Sequence, residues 1–111
     1  MVKTNLLGDK VASFVLCEGR HEMPEKDALF PNLVPVLAFG KLELMAMEKL
    51  KPLADDGCSK LIIYATGCVS AMIAALNVAT QLSFREVSVM HFDAVSQGYQ
   101  EQKVKTLADV Y

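Results

Sequence analysis

The sequence predicts an α/β fold: a small three-layer Rossmann-like sheet, mainly parallel, with a short edge strand near the C-terminus. Three observations carry this. Apolar β-type runs alternate with helical runs, in the order strand, long connector, helix, strand, helix, strand. The run Lys60 to Ala65 is almost continuously apolar, as a strand covered on both faces of a parallel sheet would be. It passes through Thr66-Gly67 directly into an Ala-rich helical run. Gly67 lets the backbone approach a ligand closely there, and a helix start offers unpaired N–H groups to an anion.

Taken in order, Met1 to Lys10 is mixed and polar, with a turn at Gly8-Asp9. Val11 to Cys17 is β-rich and mostly apolar, and reads as a buried strand ending at Glu18-Gly19-Arg20-His21. Glu22 to Asp27 is charged, holds Pro24 and reads as loop. Ala28 to Leu37 contains Pro31 and Pro35, which forbid a helix interior and a central strand. An extended connector is expected, with an edge segment at Leu33-Val34. Gly40 to Leu53 is the clearest helix: Leu42, Met45, Leu50 and Leu53 recur at near-helical spacing among Lys and Glu. Pro52 and the Asp55-Asp56-Gly57 turn are expected to end it. Ser70 to Leu82 is the second helix, apolar on nearly every side, with Ala71, Ala74, Ala75 and Ala79 allowing close approach. Glu86 to Phe92 is the third strand, Asp93 to Gly98 a loop, and Tyr99 to Leu107 the short edge strand.

The chain of 111 residues suits one domain, and 52% hydrophobic content is enough for a core without metals or disulfides. Aromatics are only 7% and Trp is absent, so the core is aliphatic, with six Met as fillers. A net charge of −2 argues against a duplex nucleic-acid binder, which needs a basic stripe. Three cysteines without a CxxC argue against a disulfide framework or zinc site and suit a reducing cytoplasm. Cys58, in a polar turn, is expected to be exposed, and Cys68 to be a small packing residue. No secretory signal pattern is seen, and the most apolar stretch, Val69 to Ala79, falls short of the ~20 residues of a membrane span. No cofactor and no metal are expected, since neither HxH nor HxxxH spacing occurs. An exposed sheet edge and an apolar helix suggest a homodimer or higher homo-oligomer.

Parallel strands would bring three polar strand ends to one edge, the place where open α/β sheets bind ligands. Arg20 would hold a phosphate there, with His21 as acid/base or donor; the bland reading is a solvated loop pair. Thr66, Gly67 and Ser70 would cradle a phosphate or carboxylate, or simply cap the helix. His91 and Asp93, two apart on a strand, project to one face, where Asp93 would orient His91; otherwise they end the strand and start a turn. Tyr99 would stack on a base or pack on an edge strand. A nucleophilic pairing of Cys68 with a histidine is conceivable but has no signature. GxGxxG and GxxxxGK[ST] are absent.

The strand, Thr-Gly turn, small-residue helix and following strand at Leu61 to Ala75 and Val87 to Asp93 resemble the nucleotide-sensing Rossmann-like (CARF-type) domains of CRISPR-associated proteins. Small proteins of this kind also occur as uncharacterised families of phages and mobile elements. The resemblance implies a dimer binding a cyclic or linear oligonucleotide through the three loops. It also implies, alternatively, a metal-independent ring-nuclease-like phosphodiesterase in which His21, His91 and Asp93 assist proton transfer. The residues themselves lead to a binder of a nucleotide or other phosphate at the C-terminal edge of the sheet. A non-catalytic structural or interaction protein is the third reading.

Overall fold

The computed structural model describes residues 2–18, 27–31 and 37–105. Arg20, His21 and the expected segment Leu33-Val34 lie outside the described residues. The elements are β1 (Val2–Thr4), β2 (Lys10–Cys17), β3 (Ala28–Phe30), α1 (Phe39–Asp55), β4 (Cys58–Tyr64), α2 (Val69–Gln81), β5 (Glu86–Asp93) and β6 (Gly98–Val104).

All six strands form one mixed sheet, ordered β1-β2-β4-β5-β6. β2, β4 and β5 run parallel, with Ala12 beside Leu61 and Leu61 beside Val87. β3 adds to β2 in parallel through Val15–Ala28 and Cys17–Phe30, while β1 pairs with the beginning of β2 in antiparallel sense. β6 pairs with β5 in antiparallel sense along its whole length. One edge of β2 is therefore shared by two three-residue strands of opposite direction.

This corrects the expected three-layer, mainly parallel Rossmann-like arrangement: the sheet is mixed, and both described helices lie on one face of it. The cause is the direction of winding. Both helical crossovers, β2 to β4 and β4 to β5, advance the same way, and right-handed crossovers of one direction leave their helices on one side. α1 and α2 accordingly pack against each other. No described helix returns to cover the opposite face. β4 shows the result: Leu61 and Ile63 are fully buried beneath the helices, while Ile62 and Tyr64, on the other side of the pleat, are half-buried.

The core is the layer between sheet and helices. Ala12, Phe14 and Leu16 of β2, Leu61 and Ile63 of β4, and Val87 of β5 meet Leu42, Ala46 and Leu50 of α1, spaced four apart on one stripe. α2 contributes Ala71, Ala74, Ala75, Val78 and Ala79, whose small side chains let it sit close. α1 runs through Pro52 to Asp55, past its expected end. Near the C-terminus Pro removes a single N–H donor, a smaller loss than in mid-helix. Gly57, with φ of 93°, supplies the left-handed residue that turns the chain into β4. Cys58 is only 6% exposed, a second correction: it begins β4 and joins the core instead of ending in a solvated turn.

Candidate functional site

Because β2, β4 and β5 are parallel, Cys17-Glu18, the turn after Tyr64, and His91 to Asp93 lie along one edge of the sheet. Both helices also begin there. The first turns of α1 and α2 come side by side and enclose a cleft of about 240 Å³, lined by Phe39, Glu43, Ser70, Ile73, Ala74 and Asn77. Phe39 and Ile73 are more than half exposed, giving it apolar walls; Ser70, Asn77 and Glu43 supply a hydroxyl, an amide and a carboxylate.

The two helix starts share an unusual chemistry. Cys68 is the N-cap of α2 and Ala38 that of α1; neither helix has a side-chain cap, and neither first turn holds an acidic residue. Among the described residues neither N-cap side chain bonds the first N–H groups of its helix, and both helix dipoles present their positive ends to this edge.

The Thr66 hydroxyl does not cap α2. It accepts the Cys17 N–H at 3.2 Å and so ties the end of β2 to the turn after β4. Ala65 N–H donates to the Met90 carbonyl at 2.9 Å, fixing the other side of the turn on β5. Gly67 is exposed, and a Cβ there would meet nothing within 4 Å, so the turn opens to solvent. Ser70 lines the cleft, with its Oγ 3.6 Å from Cys68 Sγ. Cys68 is half-buried against the core, as a packing residue would be. Burial pushes the Cys17 thiol up; the Thr66 hydroxyl offsets part of this, and the Cys68 sulfur adds to it.

The remaining candidates are placed differently. Strand alternation puts His91 and Asp93 on the helix side of β5. His91 Nε2–H donates to Gln102 Oε1 at 2.8 Å. Asp93 accepts the Val95 N–H at 3.0 Å and the Ser96 hydroxyl at 2.9 Å, and these bonds hold its carboxyl below the usual range. Among the described residues Asp93 has no bond to His91; it organises the four-residue β5–β6 turn, in which Gln97 has φ of 57°. Tyr99 lies on the opposite face, edge-on to Tyr64 at 5.1 Å and to Phe92 at 5.6 Å. The pleat thus separates Tyr99 from Ser70. Among the described residues no three His, Cys, Asp or Glu side chains cluster as metal ligands would, and no helix is long and apolar enough to cross a membrane.

Phe39, Glu43, Ile73 and Asn77 escaped the sequence reading. A signal existed for Ile73, which falls off the buried stripe 71/74/75/78 yet is large and apolar; Phe39 lies on the 42/46/50 stripe and is exposed as the first residue of α1. Comparison of the chain with family models, curated proteins and solved structures finds no match.

Proposed function

We propose that this chain is a small-ligand-binding domain whose site is the cleft between the starts of α1 and α2, and whose ligand is a nucleotide or a similar phosphate-bearing molecule. The observation that carries the reading is the convergence of two uncapped helix N-termini on the C-terminal edge of parallel strands, around a cleft with apolar walls.

The parts divide by chemistry. A phosphate sits at the start of α2, where the Gly67 turn is open and Ser70 adds a hydroxyl. A planar ring packs between Phe39 and Ile73. Glu43, an acceptor only, takes a ribose hydroxyl or an exocyclic amine and keeps the phosphate away from the α1 side. At about 240 Å³ the cleft falls below the ~300–1,000 Å³ of sites that engulf a drug-sized ligand, so it holds one nucleoside unit with the remainder outside. That suits a mononucleotide or one residue of a cyclic oligonucleotide.

Thermal-shift titration with inorganic phosphate, adenosine, mononucleotides and cyclic oligonucleotides tests this. A ligand at 100 times its Kd stabilises by about 2.7 kcal/mol. Ser70→Asp adds a negative charge in the first turn of α2, favourable to the helix and repulsive to phosphate. The expected result is stabilisation of the wild type by a phosphate-bearing ligand and its loss in Ser70→Asp. No stabilisation by any member of the panel at millimolar concentration would overturn the reading.

A further inference from the structure

The two edges of the sheet are built differently. The β2 edge is taken up by two three-residue strands of opposite direction, β1 and β3. The β6 edge is seven residues long, and among the described residues β6 pairs with β5 alone. A long strand with a neighbouring strand on one side only is a template for another strand. Gly98–Val104 contains no Pro, and its register with β5 is continuous, without a bulge to turn the edge away.

The charges on this edge indicate which strand it takes. Glu101 and Lys103 are both exposed and lie on the face away from the helices; Gln100 and Gln102 alternate with them on the other face. We infer that β6 pairs in antiparallel sense with β6 of a second copy of this chain, about a two-fold axis at Gln102. In that register Glu101 of each copy stands directly opposite Lys103 of the other, on the same face. One opposite-charge pair becomes two by symmetry. Gln102 faces Gln102, amide to amide, and Gln100 faces Val104. An axis on Glu101 opposes like charges, and an axis on Lys103 opposes the two lysines while setting Glu101 against Lys105; only the axis on Gln102 sets Glu101 against Lys103 and opposes no like charges. The axis is perpendicular to the sheet, so the sheet runs continuously through both copies and all helices stay on one face. The interface is isologous and closed. It consumes the one long edge among the described residues and leaves the cleft between α1 and α2 untouched.

Ser88 bears on how the two charge-reversal variants are read. Its hydroxyl, 1% exposed, donates to Glu101 Oε2 at 2.8 Å, and Lys103 stands directly opposite it in the β5–β6 register. Lys103→Glu leaves this bond in place, whereas Glu101→Lys removes its acceptor, so thermal melts check that the second variant folds.

The experiment is sedimentation equilibrium or light scattering from low-micromolar to sub-millimolar concentration, on wild type, Lys103→Glu, Glu101→Lys and an equimolar mixture of the two variants. Each variant alone presents two like-charge pairs to its own copy, and its dimer dissociation constant should rise ~10-fold or more. In the mixture every pair is again opposite in sign, and the heterodimer should form within about threefold of the wild-type constant. The milder Lys103→Gln, with a loss of a few-fold, reads the same edge if a reversed charge unfolds the chain in thermal melts. A wild type monomeric throughout the range overturns the inference. So does a reversal variant that dimerises as well as the wild type, or a mixture of monomeric, folded variants that fails to associate.

Discussion

Ser83→Gly should make this protein more stable, by an amount that can be worked out from the end of α2. The Phe84 N–H reaches back to the Ala79 carbonyl at 3.1 Å, and the Ser83 N–H to Thr80 at 3.1 Å. Those are the two bonds of a Schellman turn, with Phe84 buried against the core behind it. The turn needs a left-handed residue, and Ser83 supplies it at φ of 61°. A residue with a Cβ pays ~1–2 kcal/mol for that conformation. Glycine does not, but it gives up ~0.5–1 kcal/mol of extra chain entropy on folding. The difference is a net gain of ~0.5–1 kcal/mol, or a Tm higher by ~2–6 °C for a domain of this size. The Ser83 side chain is exposed, so no packing is lost.

Nature has done the reverse experiment at the other helix. α1 ends on Gly57 with φ of 93°, and a Cβ there meets nothing within 4 Å. Gly57→Ser should therefore cost a similar ~0.5–1 kcal/mol through conformation alone, and the double variant should return to within about 0.5 kcal/mol of wild type. Urea denaturation followed by far-UV circular dichroism reads all three. If Ser83→Gly leaves the midpoint unchanged or lowers it while Gly57→Ser destabilises, the argument that backbone conformation governs both helix ends is refuted.

Two further predictions concern the strand ends. Thr66→Val keeps the shape of the turn but removes the acceptor of the Cys17 N–H, and should cost ~1–2 kcal/mol in urea denaturation, whereas Thr66→Ser should cost much less. Cys17 and Cys58 are both pushed up by burial, so the folded chain retains thiol protons that the unfolded chain releases. Their contribution is complete below the ordinary thiol value and is lost as pH rises through the raised folded values. Tm should fall on the alkaline side, and the fall should be shallower in Cys17→Ala than in wild type across the same pH series. Equal slopes would mean that the burial of Cys17 does not govern its ionisation.

The helices and the three central strands were legible in the sequence because each spans enough residues to show a period. Leu42, Met45, Leu50 and Leu53 mark one stripe, and Lys60 to Ala65 a single apolar run. β1 and β3 were not legible: three residues carry no periodicity, and both owe their existence to pairing with β2. The layer count was misread although its cause lay in the chain order. Two crossover helices advancing in one direction can cover only one face, and a second covered face needs a helix on a connection that returns. The direction of β6 was also inferable, because four residues between Asp93 and Gly98 are too few for a crossover and enough for a hairpin.

The edge at which the candidate site lies followed from strand ends that polar residues punctuate. Its walls did not, because Phe39 and Ile73 become neighbours only when α1 and α2 pack. Thr66 drew attention as a ligand-facing hydroxyl, and its bond is instead to the backbone of β2. A hydroxyl after a strand looks the same in sequence whether it faces a ligand or a neighbouring main chain.

The one-way winding of the sheet has a consequence for how the molecule opens. β4 is bonded on both sides to parallel neighbours and lies under both the α1 stripe and the α2 alanines. Its amides at Leu61 to Tyr64 are freed only when the strands on each side separate. β1 is held by three residue pairs and by the Asn5 side chain, which accepts the N–H groups of Leu7 and Asp9. Isotope exchange in the native state should therefore be graded across the sheet. β1 exchanges by local fraying, and β4 exchanges only at the rate set by the full unfolding free energy. The fold carries its slowest amides in the strand that feeds the Thr66-Gly67 turn, so that turn is anchored on the last part of the molecule to let go.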